Sequence, residues 1–221
     1  MNSVFPLFEK HMARSNLRAG DMNQERILAE YLDEKLYSPS NGFTRAARTD
    51  DLGRQMLGSD IIISMPSIGL QDVVVDEKGQ IHYANERGGL PTFAFELLFE
   101  TSAVTVVEGW LTDESKITQY YLLTWITSKP NFSSKEEISI IEYALISRKK
   151  LLDYLGGCGL TKDVLREKSK AIFNSGVYGQ IEKSNEKEYY YFNSTNLAEK
   201  PVNIIIRKGK LIELSEKHNF I

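Results

Sequence analysis

Two β-branched runs, residues 61–63 and 73–75, stand on either side of Pro66-Ser67-Ile68-Gly69. Runs of this kind, bounded by Pro and Gly, predict a β-hairpin whose connection is longer than the tightest turns. The pairing constrains everything near it. Asp60 opens the first run, Asp76 closes the second, and Lys78 follows two residues later. Successive strand side chains alternate between faces, so Asp76 and Lys78 share one face and Glu77 points the other way.

Two carboxylates held close together repel unless a cation sits between them, and oxygen donors select Mg²⁺ or Mn²⁺. Such a cation supplies Lewis acidity to a phosphate and a more acidic water. An ammonium on the same face can orient that water or stabilise charge on phosphorus. The order Asp, strand pair, Asp-x-Lys therefore points to phosphodiester hydrolysis.

The segment Asp60…Asp76-Glu77-Lys78 resembles the PD-(D/E)xK motif of restriction endonuclease-like nucleases and archaeal Holliday-junction resolvases, with Ser59 where the motif has its leading Pro. The resemblance spans roughly residues 23 to 127. It implies an α/β fold, a restriction endonuclease-like mixed β-sheet core flanked by helices. It also implies metal binding by Asp60 and Asp76, assistance to the water by Lys78, and Mg²⁺ or Mn²⁺ as cofactor. The substrate it implies is nucleic acid, DNA in the first instance. A homodimer would suit duplex cutting by paired subunits. Nucleases of this class begin with a helix whose inward acid reaches the metal. Here Glu30 is the first choice, ahead of Glu25 and Glu34, with Glu25-Arg26 similar to the Glu-Arg at the start of resolvase helices. Gln55-x-x-Gly58-x-Asp60 is similar to the approach to the motif in phage-type members.

Apolar residues at 27, 28, 31, 32 and 36 recur at helical spacing and predict a helix over 23–37, capped by Asn23 or Asp21. Residues 43–49 predict a short edge strand carrying Arg45 and Arg48, both suited to phosphate contacts. Gln55 and Lys116 are further candidate nucleic-acid contacts. Residues 79–91 form a polar excursion, a flap beside the site. Residues 92–99 predict a buried strand, and Glu96 lies inside it. A carboxylate among apolar neighbours costs several kcal/mol unless paired or metal-bound, about 2–7 on common scales for an unpaired polar group, so Glu96 is a candidate for a second metal position.

Strands are expected over 104–110 and 120–126, with Trp110 and Trp125 in the core. A long helix is expected from Ser133 or Ser134 to about Leu155, and another over 161–174. Short strands follow at 189–192, 202–207 and 211–214, with Arg207-Lys208-Gly209-Lys210 as a hairpin turn. The resulting division is a nuclease-like core, 1–130, and a C-terminal helical and β extension, 131–221, packed on the same domain. Residues 1–22 read as an arm or helix in which Arg14 and Arg18 can share a face.

The formal net charge of −3 argues against a polycationic nucleic-acid coat without excluding local basic patches. The single Cys158 permits no intrachain disulfide and makes a cysteine zinc site implausible. The start of the chain lacks a signal-peptide pattern, and the longest apolar run, 120–126, is too short to span a bilayer. The expected setting is cytoplasmic, away from membranes. Two other readings stay open. One is a catalytically silent nuclease-fold protein that binds nucleic acid or assembles. In the other the acids are ordinary hairpin charges, and Asp60 and Asp76 then diverge in space.

Overall fold

The computed structural model describes residues 23–101, 103, 105–195 and 199–221. The expected N-terminal arm with Arg14 and Arg18, and Asp21 as a cap, lie outside these residues.

The architecture is mixed α/β, with two sheets. The chain enters through helix α1, residues 23–35. Strand β1 (Arg45–Arg48), helix α2 (Leu52–Met56), β2 (Ile61–Met65) and β3 (Leu70–Gly79) follow, then β4 (Thr92–Glu100), β5 (Val106–Glu108) and β6 (Tyr120–Ser128). The second half holds β7 (Ile138–Ser147), α3 (Arg148–Gly157), α4 (Lys162–Ser175), β8 (Gly179–Ile181), β9 (Tyr189–Asn193), β10 (Val202–Arg207), α5 (Lys208–Leu214) and β11 (Lys217–Phe220). The first sheet runs β1-β2-β3-β6-β7-β11 and the second β5-β4-β10-β9-β8. Only β3 and β6 pair in parallel, and every other named pair is antiparallel.

The first sheet is buried on both faces. One face carries Ile61, Ile63, Val75, Leu122 and Ile126 and packs under the apolar stripe of α1, Ile27, Leu28, Tyr31, Leu32 and Leu36. The other carries Tyr121, Leu123, Trp125 and Ile146 and meets Phe93, Phe95 and Ile204 of the second sheet, with Leu151, Leu155 and Leu165 from the helices. The predicted hairpin forms as read: β2 and β3 are antiparallel in the register Ile61↔Val75, and the connection is a 3₁₀ turn over Pro66–Ile68 ended by Gly69 in the left-handed region. The edge strand, the buried strand β4, the core strand β6 and helix α4 also lie where the sequence places them.

Three expectations are corrected. The helix from Ser133 to Leu155 is a strand followed by a shorter helix. The serine and glutamate signal is real but closes a single 3₁₀ turn, Lys135–Glu137, where Glu137 accepts from the Ser133 amide at 2.6 Å. Beyond it, β-branched Ile138, Ile140, Ile141 and Ile146 favour an extended chain. Because Ile141, Tyr143, Ala144, Leu145 and Ile146 are all buried, period-two alternation is erased and the run imitates a buried helix. Second, 207–210 is not a hairpin turn, nor is 211–214 a strand. Arg207 ends β10 and residues 208–214 form α5, whose Leu211 is fully buried and whose Lys208 reaches Glu142 at 2.7 Å. Third, residues 131–221, read as an extension packed on the same domain, are woven into both sheets. They supply β7 to the interior of the first sheet and β10 to the centre of the second. The polar excursion after β3 is tied to β6 by the Gln80 amide on the Thr124 carbonyl (3.0 Å) and the Ser128 amide on the Asn85 carbonyl (3.3 Å). Among the described residues, no helix is long and apolar enough to cross a membrane.

Candidate functional site

The β2–β3 register fixes the centre of the site. Ile61 lies opposite Val75, and the Asp60 amide donates to the Val75 carbonyl at 3.0 Å, so Asp60 stands across from Asp76 at the next rung. Ile61 and Val75 turn towards α1, which sends both aspartates to the opposite face. Asp76 is 3% exposed. The two carboxyls lie close enough to act on each other, and Asp60 accepts from the Glu77 amide at 2.7 Å. Burial, and then the Asp76 charge, raise the Asp60 pKa to about 7, against the pull of Lys78 and of the Glu77 amide.

Lys78 shares this face. Its Nζ lies 2.6 Å from Asp76 Oδ1 and 5.3 Å from the centre of the Trp110 ring. Burial works against its charge, but Asp76 and Asp60 outweigh it and the ammonium is held more firmly than an ordinary lysine. Glu77 points the other way, as strand alternation requires. It accepts from Tyr37 Oη at 2.5 Å and pairs with Arg48, which also holds Asp33 at 2.8 Å and the Ala29 carbonyl at 3.0 Å. Burial, reinforced by Glu77, drives the Tyr37 pKa well above that of a free phenol.

The aspartates open into a cleft with two lobes that share Gln55, Asp60 and Lys78. The first lobe, about 520 Å³, is bounded by α1 and β1 and includes Glu25, Arg26, Arg48 and Glu77. The second, about 370 Å³, adds Asp76, Glu96, Trp110, Asp113 and Lys116. Glu96 reaches this lobe from the second sheet, beside a register shift between β4 and β10. Burial and the nearby Glu199 raise its pKa to about 7, while Lys78 and Lys116 oppose the shift.

The structure thus brings together Asp60, Asp76, Lys78 and Glu96, with Gln55 and Lys116 on the walls. Gln55 is anchored to the Thr49 carbonyl at 2.5 Å, and Lys116 to the Met56 carbonyl at 2.6 Å. Glu30 does not join them: its side chain is 49% exposed, pairs with Arg26 one helical turn away, and lines neither lobe. Glu25 is the helix acid that lines the cleft, and its charge acts on Lys78. Glu34 pairs with Lys135 and Lys35. Arg45 sits at the far end of β1 on Asp72, 2.7 Å away, and lines neither lobe. Trp125 is core as expected, whereas Trp110 is a wall of the second lobe.

Sequence reasoning takes Arg148 for a cation in the second half of a helix, suited to the helix dipole or to a phosphate, whereas it is the first residue of α3. At the β7–α3 junction its guanidinium donates to the carbonyls of Lys116 (3.2 Å), Leu111 (3.1 Å) and Asp113 (2.6 Å). Arg166 of α4 adds Glu108 and the Thr112 carbonyl. Together they pin the segment that carries Asp113 and Lys116 to the cleft. No local pattern announces this, because both arginines act on backbone carbonyls distant in sequence.

The donor set fits a small hard cation. Two carboxylates held this close repel each other, and a divalent ion between them would relieve that repulsion. Among the described residues no group of three His, Cys, Asp or Glu side chains is arranged to hold a metal. Mg²⁺ nevertheless binds through one or two carboxylates while keeping several waters. No family model, curated protein or solved structure matches this chain.

Proposed function

We propose that this protein is a divalent-metal-dependent nuclease of restriction endonuclease-like type that hydrolyses phosphodiester bonds, with DNA as the first substrate to test. One observation carries the reading. Asp60 and Asp76 face each other across a β-ladder with Lys78 on the same face, at the floor of an open cleft. A pair of opposed like charges costs a sheet stability, and a bound cation gives the arrangement a purpose. Their closeness supports this reading over one of ordinary hairpin charges, which are expected to diverge.

In this reading Asp60 and Asp76 would hold Mg²⁺ or Mn²⁺. The cation would supply Lewis acidity at phosphorus and a more acidic water. Lys78 donates to the attacking water or to the phosphoryl oxygens as their charge grows. Asp76 fixes the ammonium in place and Trp110 covers it. Glu25 and Glu96 stand in opposite lobes, placed to bias water and cation from either side.

The test is cleavage of linear, nicked and single-stranded DNA and of RNA with Mg²⁺ or Mn²⁺, using wild type beside Asp76→Ala and Lys78→Ala, all shown folded by circular dichroism. Metal-dependent cutting that disappears in both variants supports the assignment. If wild type cuts nothing and calorimetry finds no metal binding, the enzyme reading fails, and a silent nucleic-acid-binding or assembly protein takes its place.

A further inference from the structure

Helix α2 stands at the lip of the cleft and buries none of its side chains. Gln55 lines both lobes, and the Met56 carbonyl holds Lys116. Beside Gln55, Leu52 and Met56 lie one helical turn apart and are 74% and 76% exposed, more than any other large apolar side chain among the described residues. Scattered exposed leucines need no explanation. A pair at i,i+4 on the lip of a candidate active site does. The helix that carries them is fixed at both ends. Asp51 caps the Arg54 amide at 2.7 Å, and the Ser59 amide donates to the Arg54 carbonyl at 3.1 Å.

The charge distribution says what kind of contact the pair would make. Attraction for a polyanion is weak in a chain of net charge −3. Arg48 and Arg45, the arginines of β1, are occupied by Glu77, Asp33 and Asp72. Contacts with the bases would add to what phosphate contacts supply. Apolar side chains do this by entering a base step and unstacking it. A strand laid across Asp60 and Lys78, from one lobe to the other, passes beside α2, because Gln55 borders both.

We propose that Leu52 and Met56 form an apolar wedge that enters the base stack of nucleic acid held in the cleft. The substrate class is then nucleic acid with an already interrupted stack, such as a mismatch or a nick, where opening costs least. This rests on the reading of the cleft as a phosphodiester-hydrolysing centre.

The experiment uses the full chain in EDTA and DNA duplexes carrying 2-aminopurine in an intact, mismatched or nicked setting. Leu52→Ser, Met56→Ser and the double variant are compared with wild type, and cutting is then measured with Mg²⁺. Wild type should prefer mismatched and nicked duplexes and raise 2-aminopurine fluorescence on binding. The double variant should lose about tenfold of that preference, together with the fluorescence rise, in keeping with a contact of roughly one base step. It should still cut single strands, in which no stack is opened. Equal preference and equal fluorescence in wild type and double variant overturn the wedge and leave the cleft assignment standing. If wild type neither binds nor cuts any nucleic acid, the cleft assignment itself falls and the wedge with it. A dimer by sedimentation that becomes monomeric in the double variant overturns the wedge in favour of a second copy covering the pair.

Discussion

Asp60 and Asp76 meet at the end of the β2–β3 ladder, just beyond the Ile61–Val75 pair, close enough for the Asp76 charge to act on Asp60. Folding forces together two groups that prefer to be apart when ionised. The Asp60 pKa, 3.8 in an ordinary setting, rises to about 7. The folded state therefore binds a proton more tightly than the unfolded state does. The Asp60 contribution to stability is fully present below about pH 4 and is lost as pH climbs to about 7. Other acids, such as Glu34 and Asp72, shift downwards and give the opposite slope, so the test is a difference. Without metal, Asp60→Asn should gain stability relative to wild type as pH rises from 4 to 7, by about 2–4 kcal/mol at about 1.4 kcal/mol per unit of pKa. Urea titrations at each pH measure it. Added Mg²⁺ should stabilise wild type at pH 7 and leave Asp60→Asn unmoved.

Lys78 has a structural part as well as a proposed chemical one. Its removal leaves Asp76, 4% exposed at the side chain, without its cation. Lys78→Met should abolish cutting. It should also destabilise the metal-free protein, towards the lower end of the about 3–5 kcal/mol expected when a buried pair loses one partner, since Lys78 itself is partly exposed. Mg²⁺ should restore part of the lost stability without restoring activity. A variant that loses activity with unchanged stability in EDTA would argue against the Lys78–Asp76 contact.

The first-turn acid of α1, not the one in its middle, should matter for turnover. Glu25 lines the cleft and acts on Lys78, while Glu30 pairs with Arg26 in solvent. Glu25→Gln should lower the cutting rate about tenfold or more, the usual scale for a group that orients water or cation. Glu30→Gln should change rate and stability by little, as exposed i,i+4 pairs contribute about 0.3–0.5 kcal/mol. Equal losses in both variants would contradict the placement of the two side chains.

These contrasts show what the sequence can disclose. The hairpin and the facing of Asp76 and Lys78 follow from short-range rules: β-branched runs, a Pro–Gly break and strand alternation. The stripe of α1 is equally plain at residues 27, 28, 31, 32 and 36. The choice between Glu25 and Glu30 is not, because helical spacing places both beside the stripe and only the docking angle of α1 on the first sheet separates them. Strand β7 misleads for a different reason. A strand buried on both faces loses the alternation that identifies it, and the charged turn before it carries a genuine capping pattern. Helix α5 and strand β11 depend on packing against β7 and β10, so they become legible only once the sheets exist.

Arg148 joins the second half of the chain to the cleft. It carries three carbonyls of the 111–116 segment, while its Nε is buried without a partner. Arg148→Met should leave the Leu111 and Lys116 carbonyls without this donor and the Asp113 carbonyl with the Lys116 amide alone, a loss of about 2 kcal/mol at roughly 1–3 kcal/mol per unsatisfied group. Amide exchange should quicken first at the Lys116 amide, which bonds to Asp113, and at the Ile117 amide, which bonds to Leu57. Uniform exchange along the chain would show that the arginine serves global stability alone.

Gly58 sets the path of the backbone into Asp60. Its φ of +80° suits glycine, and a Cβ built there would lie 2.2 Å from Thr118 Oγ1 and 3.4 Å from Asp76 Oδ2. Thr118 is buried and its hydroxyl donates to the Gly58 carbonyl at 2.8 Å. Gly58→Ala should therefore cost the roughly 1–2 kcal/mol of a left-handed alanine and a further penalty for the clash. Thr118→Ala removes the obstructing oxygen and should cost about 1 kcal/mol through the lost hydrogen bond. In the double variant the clash has gone, so its total loss should fall short of the sum of the two singles by about 1 kcal/mol or more, a coupling readable in denaturant titrations. Additive losses would mean that the chain relaxes around Gly58 without pressing on Thr118. The aspartate pair would then be less rigidly seated than the hydrogen bonds at this corner imply.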